Sequence, residues 1–452
     1  MSRLFGTDGV RGVANKDLTA ALAYKLGRCG AWLLSDKKFD NPKIVVGKDT
    51  RISCDMLESA LIAGICSTGV DVVCLGVIPT PAVAYLTRFY DAIAGVVISA
   101  SHNSFEFNGI KFFNSQGFKL PDEIEDDIER LVYGDQSGIE NPLGDKIGRK
   151  YIADTAKKDY IDFLSQTISG DLKGLNIVLD CANGASSFVT PELFRNLKAE
   201  VSVINCDPDG TNINKKCGST HMDMLKEAVV EARADMGFAF DGDADRMLAV
   251  DEKGNCIDGD AIMAILALAL KKSGKLAHST ITVTVMSNMG LDIMAEKNDI
   301  KLVKTTVGDK YVLEEMLRSG YVIGGENSGH IILLEYNTTG DGALTAIQLA
   351  KTAKDSEKTL SELASVFNPL PLVLRGALVK EELKYSYLED PDISEMCREL
   401  EAEFNGTEGR VLIRPSGTEP LIRIMIEGKD EEYITSRAEQ LVRLVERRLN
   451  LA

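Results

Sequence analysis

Three carboxylates stand at alternate positions in Asp241-Gly242-Asp243-Ala244-Asp245-Arg246, straight after the apolar run Met236-Gly237-Phe238-Ala239-Phe240. Acidic oxygens at that spacing, with a glycine that lets the backbone fold tightly, suit a hard divalent cation such as magnesium. A strand end is also where α/β proteins place their sites. Two other readings compete. An EF-hand calcium loop starts with acids at positions one, three and five, and Glu252 falls at position twelve, but the sixth position, which needs glycine, is Arg246. A solvated acidic turn is the other, and the hexapeptide alone does not remove it.

Ser101 follows a second apolar run, in Ser99-Ala100-Ser101-His102-Asn103, with Asn108-Gly109-Ile110-Lys111 shortly after. A serine in such a turn is most often a cap. As a nucleophile it lacks the GxSxG elbow and any Ser-His-Asp order, so hydrolase chemistry finds little support. A serine beside a magnesium loop points instead to phosphoryl transfer. Three aspartates and a phosphoserine of about −2 would put roughly five negative charges around one divalent cation, so nearby cations must neutralise the rest. Arg246, Lys111 and Arg11 are the candidates, each as readily a surface cation.

Gly325-Glu326-Asn327-Ser328-Gly329-His330 offers a carboxylate and a hydroxyl for neighbouring sugar hydroxyls. Its histidine titrates near neutrality and suits proton transfer, although a packed histidine is the commoner fate. Arg414-Pro415-Ser416-Gly417-Thr418-Glu419-Pro420, followed by Arg423, has the composition of a phosphate cradle or, equally, of a proline-flanked hairpin turn.

The elements that must position these loops repeat. An apolar strand, a helix, a second strand, a helical or looped stretch and a third strand running into a polar loop occur three times. First strands are 43–46, 176–179 and 280–283; second strands 70–74, 200–204 and 300–303; third strands 94–98, 236–240 and 320–323. Continuous apolar runs fit central parallel strands covered on both faces, with ligands at their carboxyl ends. The expected fold is three similar α/β domains with mixed, largely parallel sheets, presenting their loops to one cleft. Past the prolines at 369 and 371, strands 372–379, 409–413 and 421–426 and an amphipathic helix 431–449 read as an α+β domain. Expected boundaries are 1–152 for the serine loop, 153–254 for the metal loop, 255–368 for the sugar loop and 372–452 for phosphate binding.

Composition narrows the function classes. At 452 residues the chain exceeds what one core supports. A net charge of −17 argues against nucleic acid or an anionic membrane as the main partner, because both reward a basic face. Nine cysteines without a CxxC pair, mostly in apolar context, read as reduced thiols of a cytoplasmic protein. The sequence opens without a signal-peptide core, and the apolar run 261–270 is too short to span a bilayer.

Together and in order, SASHN, DGDADR, GENSGH and RPSGTEP resemble the α-D-phosphohexomutase superfamily across essentially the whole chain. Within it, FGTDGVRG (5–12) and TTVGDKYV (305–312) are most similar to the bacterial phosphoglucosamine mutases. The resemblance implies interconversion of glucosamine 6-phosphate and glucosamine 1-phosphate through phosphorylated Ser101, with a sugar 1,6-bisphosphate as intermediate and activator. It implies one Mg2+ held by Ser101, Asp241, Asp243 and Asp245, and sugar contacts from Glu326 and Ser328. The distal phosphate falls to Arg414, Ser416, Gly417, Thr418 and Arg423. Lys111 and His330 are then expected to transfer protons, with Arg11 and Arg246 stabilising charge. A homodimer and a place in amino-sugar nucleotide and cell-wall precursor synthesis follow by the same resemblance.

The chain departs from that pattern where proline is usual and Ser104 stands, where an acid is usual and Phe107 stands, and where glutamine is usual and Asn327 stands. The first two bear on the rigidity of the serine loop and the third on sugar discrimination. Competing readings are a sister mutase for glucose or mannose phosphates, a phosphatase that hydrolyses the phosphoserine, and a non-catalytic phosphosugar-binding regulator. The regulator would be expected to have lost Ser101 or an aspartate.

Overall fold

The computed structural model describes residues 3–6, 8–35, 41–404, 409–416 and 420–450. Its three repeats share one topology. In the first, Lys43–Lys48 pairs in parallel with Asp71–Val77 on one side and Ala94–Ile98 on the other, and Phe107–Asn114 runs antiparallel beside Ala94–Ile98. The second sets Asn176–Asp180 between Glu200–Ile204 and Met236–Phe240, with Met247–Asp251 antiparallel. The third sets Thr280–Thr284 between Lys301–Thr305 and Ile323–Gly325, with Ile331–Leu333 antiparallel. Short strands Val10–Val13, Lys150–Ile152 and Cys256–Ile257 extend the first two sheets at their edges.

The central strands Ala94–Ile98, Met236–Phe240 and Thr280–Thr284 are buried at every residue. That is why the first two read as unbroken apolar runs, whereas Thr280–Thr284 alternates threonine with isoleucine and valine and buries its threonines as well. The third strand of the third repeat starts at Ile323, later than the expected 320. Helix Asp309–Ser319 runs up to Gly320, whose φ of +71° supplies a left-handed C-cap and consumes the first residues of the apolar run. In every repeat the polar loop is the turn between the third strand and its antiparallel neighbour, so the repeat places the three loops equivalently. Aspartates cap the helices nearby: the half-buried Asp258 accepts from Ala261 N at 2.9 Å and the buried Asp341 from Leu344 N at 3.0 Å.

Two compact units result. The larger comprises the chain to Met286 together with Ile300–Val366, and therefore all three polar loops. The smaller joins Ser287–Asp299 to the chain from Phe367 onward. In it Leu421–Gly428 lies between Leu372–Leu378 and Gly409–Pro415, antiparallel to both. Ile424, Ile426, Leu441 and Val445 contribute to its core, an α+β arrangement with helices Pro391–Phe404 and Glu431–Asn450. Helix Met289–Lys297, which follows the first strand of the third repeat in sequence, belongs to this unit. Asn288 Nδ2 donates to Leu370 O at 2.9 Å, and a Cβ on Gly290 would lie 2.2 Å from Asn368 O, so only glycine permits the approach. Among the described residues no helix is long and apolar enough to cross a membrane.

Candidate active site

One guanidinium holds the serine loop. Arg51, fully buried, donates Nε to Asp49 Oδ2 at 2.8 Å, Nη2 to the carbonyls of Ser101 and Asn103 at 2.9 Å each, and Nη1 to the carbonyls of Phe107 at 3.0 Å and of Ser104. Asn214, from the second domain, donates Nδ2 to the same Ser101 and Asn103 carbonyls at 2.9 and 3.0 Å. Asp49 also accepts from Ser99 Oγ at 2.6 Å. Ser101 takes a φ of +53°, a conformation that persists in a residue with a side chain only when its surroundings over-determine it. Its Oγ then donates to Asp241 Oδ2 at 2.6 Å. With four loop carbonyls pinned, a proline at 104 has little left to rigidify. Arg51, Asp49 and Asn214 were absent from the sequence reading; the signal available was Asp49-Thr50-Arg51 at the carboxyl end of a buried strand.

The metal loop meets this serine loop closely. A Cβ on Gly242 would lie 2.6 Å from Ser101 O. Asp241, Asp243 and Asp245 are buried, and their ligand oxygens lie within 4.8 Å of one another. Asp243 Oδ2 accepts from Thr80 Oγ1 at 2.7 Å and Lys111 Nζ at 3.1 Å, but Asp243 Oδ1 and Asp245 Oδ1 have no donor among the described residues. Buried carboxylate oxygens without a donor are costly. Burial, and then Asp245 and Asp243, push the Asp241 carboxyl well above the usual range. A divalent cation relieves both the orphaned oxygens and the repulsion, so the three aspartates fit one. Asp243→Asn is expected to lower divalent-metal affinity by at least about tenfold, the cost of losing even an outer-shell partner. Titration calorimetry checks this, and unchanged affinity would remove the ligand assignment.

A closed circuit of alternating charges joins the metal loop to the other two domains. Lys111 Nζ lies 3.1 Å from Asp243 Oδ2 and 2.9 Å from Asp8 Oδ2; Lys119 Nζ lies 2.8 Å from Asp8 Oδ1 and 2.6 Å from Asp309 Oδ2. Asp309 Oδ2 is 3.3 Å from His330 Nε2, and His330 Nδ1 is 3.5 Å from Asp245 Oδ2. Burial opposes the charge on Lys111, yet Asp243 and Asp8 outweigh it and hold the pKa above its ordinary value. Gly340 N lies 3.1 Å from His330 Nε2. Burial opposes a charge on the ring, but Asp309 and Asp245 outweigh it and hold the pKa above its ordinary value. Asp8, Lys119 and Asp309 were also missed from sequence, although Asp8 and Asp309 sit inside FGTDGVRG and TTVGDKYV.

His102 stands beside Ser101. Its Nδ1 is 3.5 Å from Ser101 Oγ and 3.1 Å from Arg246 Nη1. Burial, then Arg246 and Arg11, hold its pKa below the ordinary value, leaving a neutral imidazole. Arg246 donates its backbone N to Asp241 Oδ1 at 3.2 Å, and its guanidinium pKa is raised, against burial, by Asp245, Asp241 and Glu326. Arg11 pairs with Asp8. Ser328 Oγ donates to Glu326 Oε2 at 3.3 Å, and the exposed Asn327 accepts through its carbonyl from Gly259 N at 3.0 Å.

The smaller unit carries the remaining expected residues. Arg414 and Arg423 are directly opposite on neighbouring antiparallel strands. Burial and Arg423 lower the pKa of Arg414, a like-charge pairing that an anion stabilises. Ser416, buried, donates its N to Leu421 O at 2.9 Å. Gly417 and Thr418 lie outside the described residues.

Four segments match the phosphoglucomutase/phosphomannomutase family in succession: alpha/beta/alpha domain I over residues 2–137, domain II over 158–254, domain III over 258–370, and the C-terminal domain over 377–444. A phosphoglucosamine mutase from Ruminiclostridium cellulolyticum is 63% identical over 450 residues, covering 100% of each chain. One from Clostridium acetobutylicum is 57% identical over 450 residues, again covering 100% of each. A phosphoglucomutase/phosphomannomutase family protein from Burkholderia thailandensis superposes with a TM-score of 0.81 at 22% identity, over 99% of this chain and 97% of that one. The N-acetylphosphoglucosamine mutase of Aspergillus fumigatus, in complex with GlcNAc-6P and magnesium, gives 0.71 at 18% identity, over 99% and 96%. Matched along nearly its whole length, the chain belongs to the phosphoglucomutase/phosphomannomutase family, the α-D-phosphohexomutases.

Proposed function

We propose that this protein interconverts glucosamine 6-phosphate and glucosamine 1-phosphate through a phosphoserine at Ser101. It is an isomerase that acts on phosphosugars, and its relatives at 57–63% identity carry the name phosphoglucosamine mutase. The observation that carries the reading is Ser101 Oγ, buried and 2.6 Å from Asp241 at the head of three clustered carboxylates. A hydroxyl presented to a divalent-metal site is poised to accept and return a phosphoryl group.

In the forward direction the phosphoryl group on Ser101 passes to O1 of glucosamine 6-phosphate. The P–Oγ bond breaks, the P–O1 bond forms, and the O1 proton leaves to a base and ultimately replaces the phosphoryl group on Oγ. The resulting 1,6-bisphosphate then presents its other end. Its 6-phosphoryl group passes to Oγ, O6 takes the proton, and glucosamine 1-phosphate departs from a phosphorylated enzyme. Mg2+ held by Asp241, Asp243, Asp245 and the Ser101 phosphate would supply charge neutralisation on the transferring group.

The residues divide the remaining work. Lys111, locked between Asp243 and Asp8, is a fixed cation beside the metal loop and not the proton carrier expected from sequence. His330 positions Asp245, and His102 is the neutral base adjoining Oγ. Arg246 and Arg11 offset phosphoryl charge, while Glu326 and Ser328 hold sugar hydroxyls. Arg414 and Arg423, with Ser416, Gly417 and Thr418, bind whichever phosphate is not reacting. The proposal includes a sugar 1,6-bisphosphate activator, a homodimer and a cytoplasmic role in amino-sugar nucleotide synthesis.

A phosphorus NMR time course with magnesium, a trace of sugar 1,6-bisphosphate, and glucosamine 6-phosphate or glucose 6-phosphate in parallel tests the reading. Faster conversion of the glucosamine ester to its 1-phosphate is expected. Preference for the glucose ester would make the protein a sister mutase, and accumulation of inorganic phosphate a phosphatase.

A further inference from the structure

The metal loop is gripped from outside its own domain. Thr80 opens helix Thr80–Phe89 of the first domain, is buried, and stands between Pro79 and Pro81. Both flanking rings fix φ and carry no backbone N–H, so the chain is stiff at this corner and Thr80 supplies its only amide donor. That amide donates to Asp243 O at 2.9 Å, and the Thr80 hydroxyl donates to Asp243 Oδ2 at 2.7 Å. One residue of the first domain thus holds both the main chain and the carboxylate of the central aspartate in the second.

The helix that carries Thr80 is itself clamped. The Tyr85 ring stacks on Phe163 of the second domain, with 3.9 Å between centroids. Asn337 of the third domain donates Nδ2 to Pro81 O at 3.2 Å and accepts through Oδ1 from Arg88 Nη2 at 3.0 Å. Thr80 therefore has little freedom to follow Asp243, and Asp243 conforms to Thr80.

The hydroxyl also divides the two carboxylate oxygens. Asp243 Oδ2 takes Thr80 Oγ1 and, at 3.1 Å, Lys111 Nζ, whereas Oδ1 is buried without a donor among the described residues. Asp245 shows the same division, with Oδ2 3.5 Å from His330 Nδ1 and Oδ1 likewise without a donor. The two orphaned oxygens are those left for a cation. Lys111 adds charge beside Asp243, but it is shared with Asp8 at 2.9 Å, and an ammonium on a flexible stem has rotatable donors. A hydroxyl on a β-branched side chain has one donor and a stiff χ1, so it fixes the carboxylate plane more closely.

We propose that Thr80 is a positioning residue of the metal site, whose hydroxyl turns the Asp243 carboxylate so that Oδ1 faces the cation. The proposal rests on the metal reading of Asp241, Asp243 and Asp245. Hydrogen bonds of this kind orient ligating carboxylates, and losing one weakens metal binding by about ten- to a hundredfold.

Two substitutions separate the hydroxyl from packing. Thr80→Val keeps the branched shape and removes the donor; Thr80→Ser keeps the donor and removes a methyl group. Magnesium chloride is titrated calorimetrically into each full-length protein, freed of metal and phosphate, with no sugar present. Thr80→Val is expected to bind magnesium at least about tenfold more weakly than the native protein, and Thr80→Ser to bind it with native affinity. Both should show native circular dichroism. Native affinity in Thr80→Val would overturn the proposal. So would an equal loss in both variants, which would assign the effect to packing, or failure of Thr80→Val to fold, which would make the hydroxyl a structural bond. A native protein that binds no magnesium would remove the metal reading and the proposal with it, whereas native binding matched by Thr80→Val removes the role of Thr80 alone.

Discussion

Ser101→Ala is expected to abolish mutase turnover, lowering kcat by about five orders of magnitude or more, the scale on which removal of a nucleophile acts. The fold should survive. The serine side chain gives up one buried hydrogen bond to Asp241, worth about 1 kcal/mol, and alanine faces no greater steric cost at a φ of +53° than serine does. Intact-mass measurement after incubation with a sugar 1,6-bisphosphate should show one added phosphate on the native protein and none on the variant. Circular dichroism should match. Wild-type turnover in the variant would end the phosphoserine scheme.

Arg51→Met is expected to be the most destabilising single change in the first domain. It strands the buried carboxylate of Asp49 and removes donors from the carbonyls of Ser101, Asn103, Ser104 and Phe107. Breaking a buried pair by removing one partner costs about 3–5 kcal/mol, which lowers Tm by roughly 10 °C in a domain of this size. Misplacing the Ser101 loop should also cut kcat about a hundredfold with KM little changed, because the loop acts on the reacting hydroxyl. Arg51→Lys should not rescue either effect, since one ammonium cannot replace a planar fork that meets five acceptors. A native melting temperature in Arg51→Met would show that Asn214 alone holds the loop.

The same physical distinction explains what was legible in the chain. The first and second strands of each repeat, the C-terminal strands and the last helix could be read because each is specified by its own residues. A strand buried on both faces, such as Ala94–Ile98 or Met236–Phe240, draws an apolar run, and a glycine-rich polar loop at its end has no packing reason to exist. The start of the strand at Ile323 was misplaced because the helix ending at Gly320 competed for the same apolar residues. DGDADR and SASHN pointed to metal and phosphoryl chemistry by residue type, as an expectation, and the contact between Ser101 and Asp241 follows from the two loops sitting at equivalent strand ends.

By itself, then, the sequence determined three α/β repeats, an α+β domain and the kinds of chemistry their loops carry, since strand burial, turn formation and ligand type are local properties. Tertiary structure alone decided which cations matter and what state each group holds. Asp8, Lys119 and Asp309 read in isolation as surface charges; packing the first and third domains around the metal loop half-buries them and pairs each with a partner far away in sequence, while Arg51, paired with the nearby Asp49, is buried against the carbonyls of Ser101, Asn103, Ser104 and Phe107. Lys111 faces Asp8 and Asp243, and His330 lies between Asp245 and Asp309. Charge in a buried site depends on neighbours brought from elsewhere in the chain, and no spacing along the sequence encodes that.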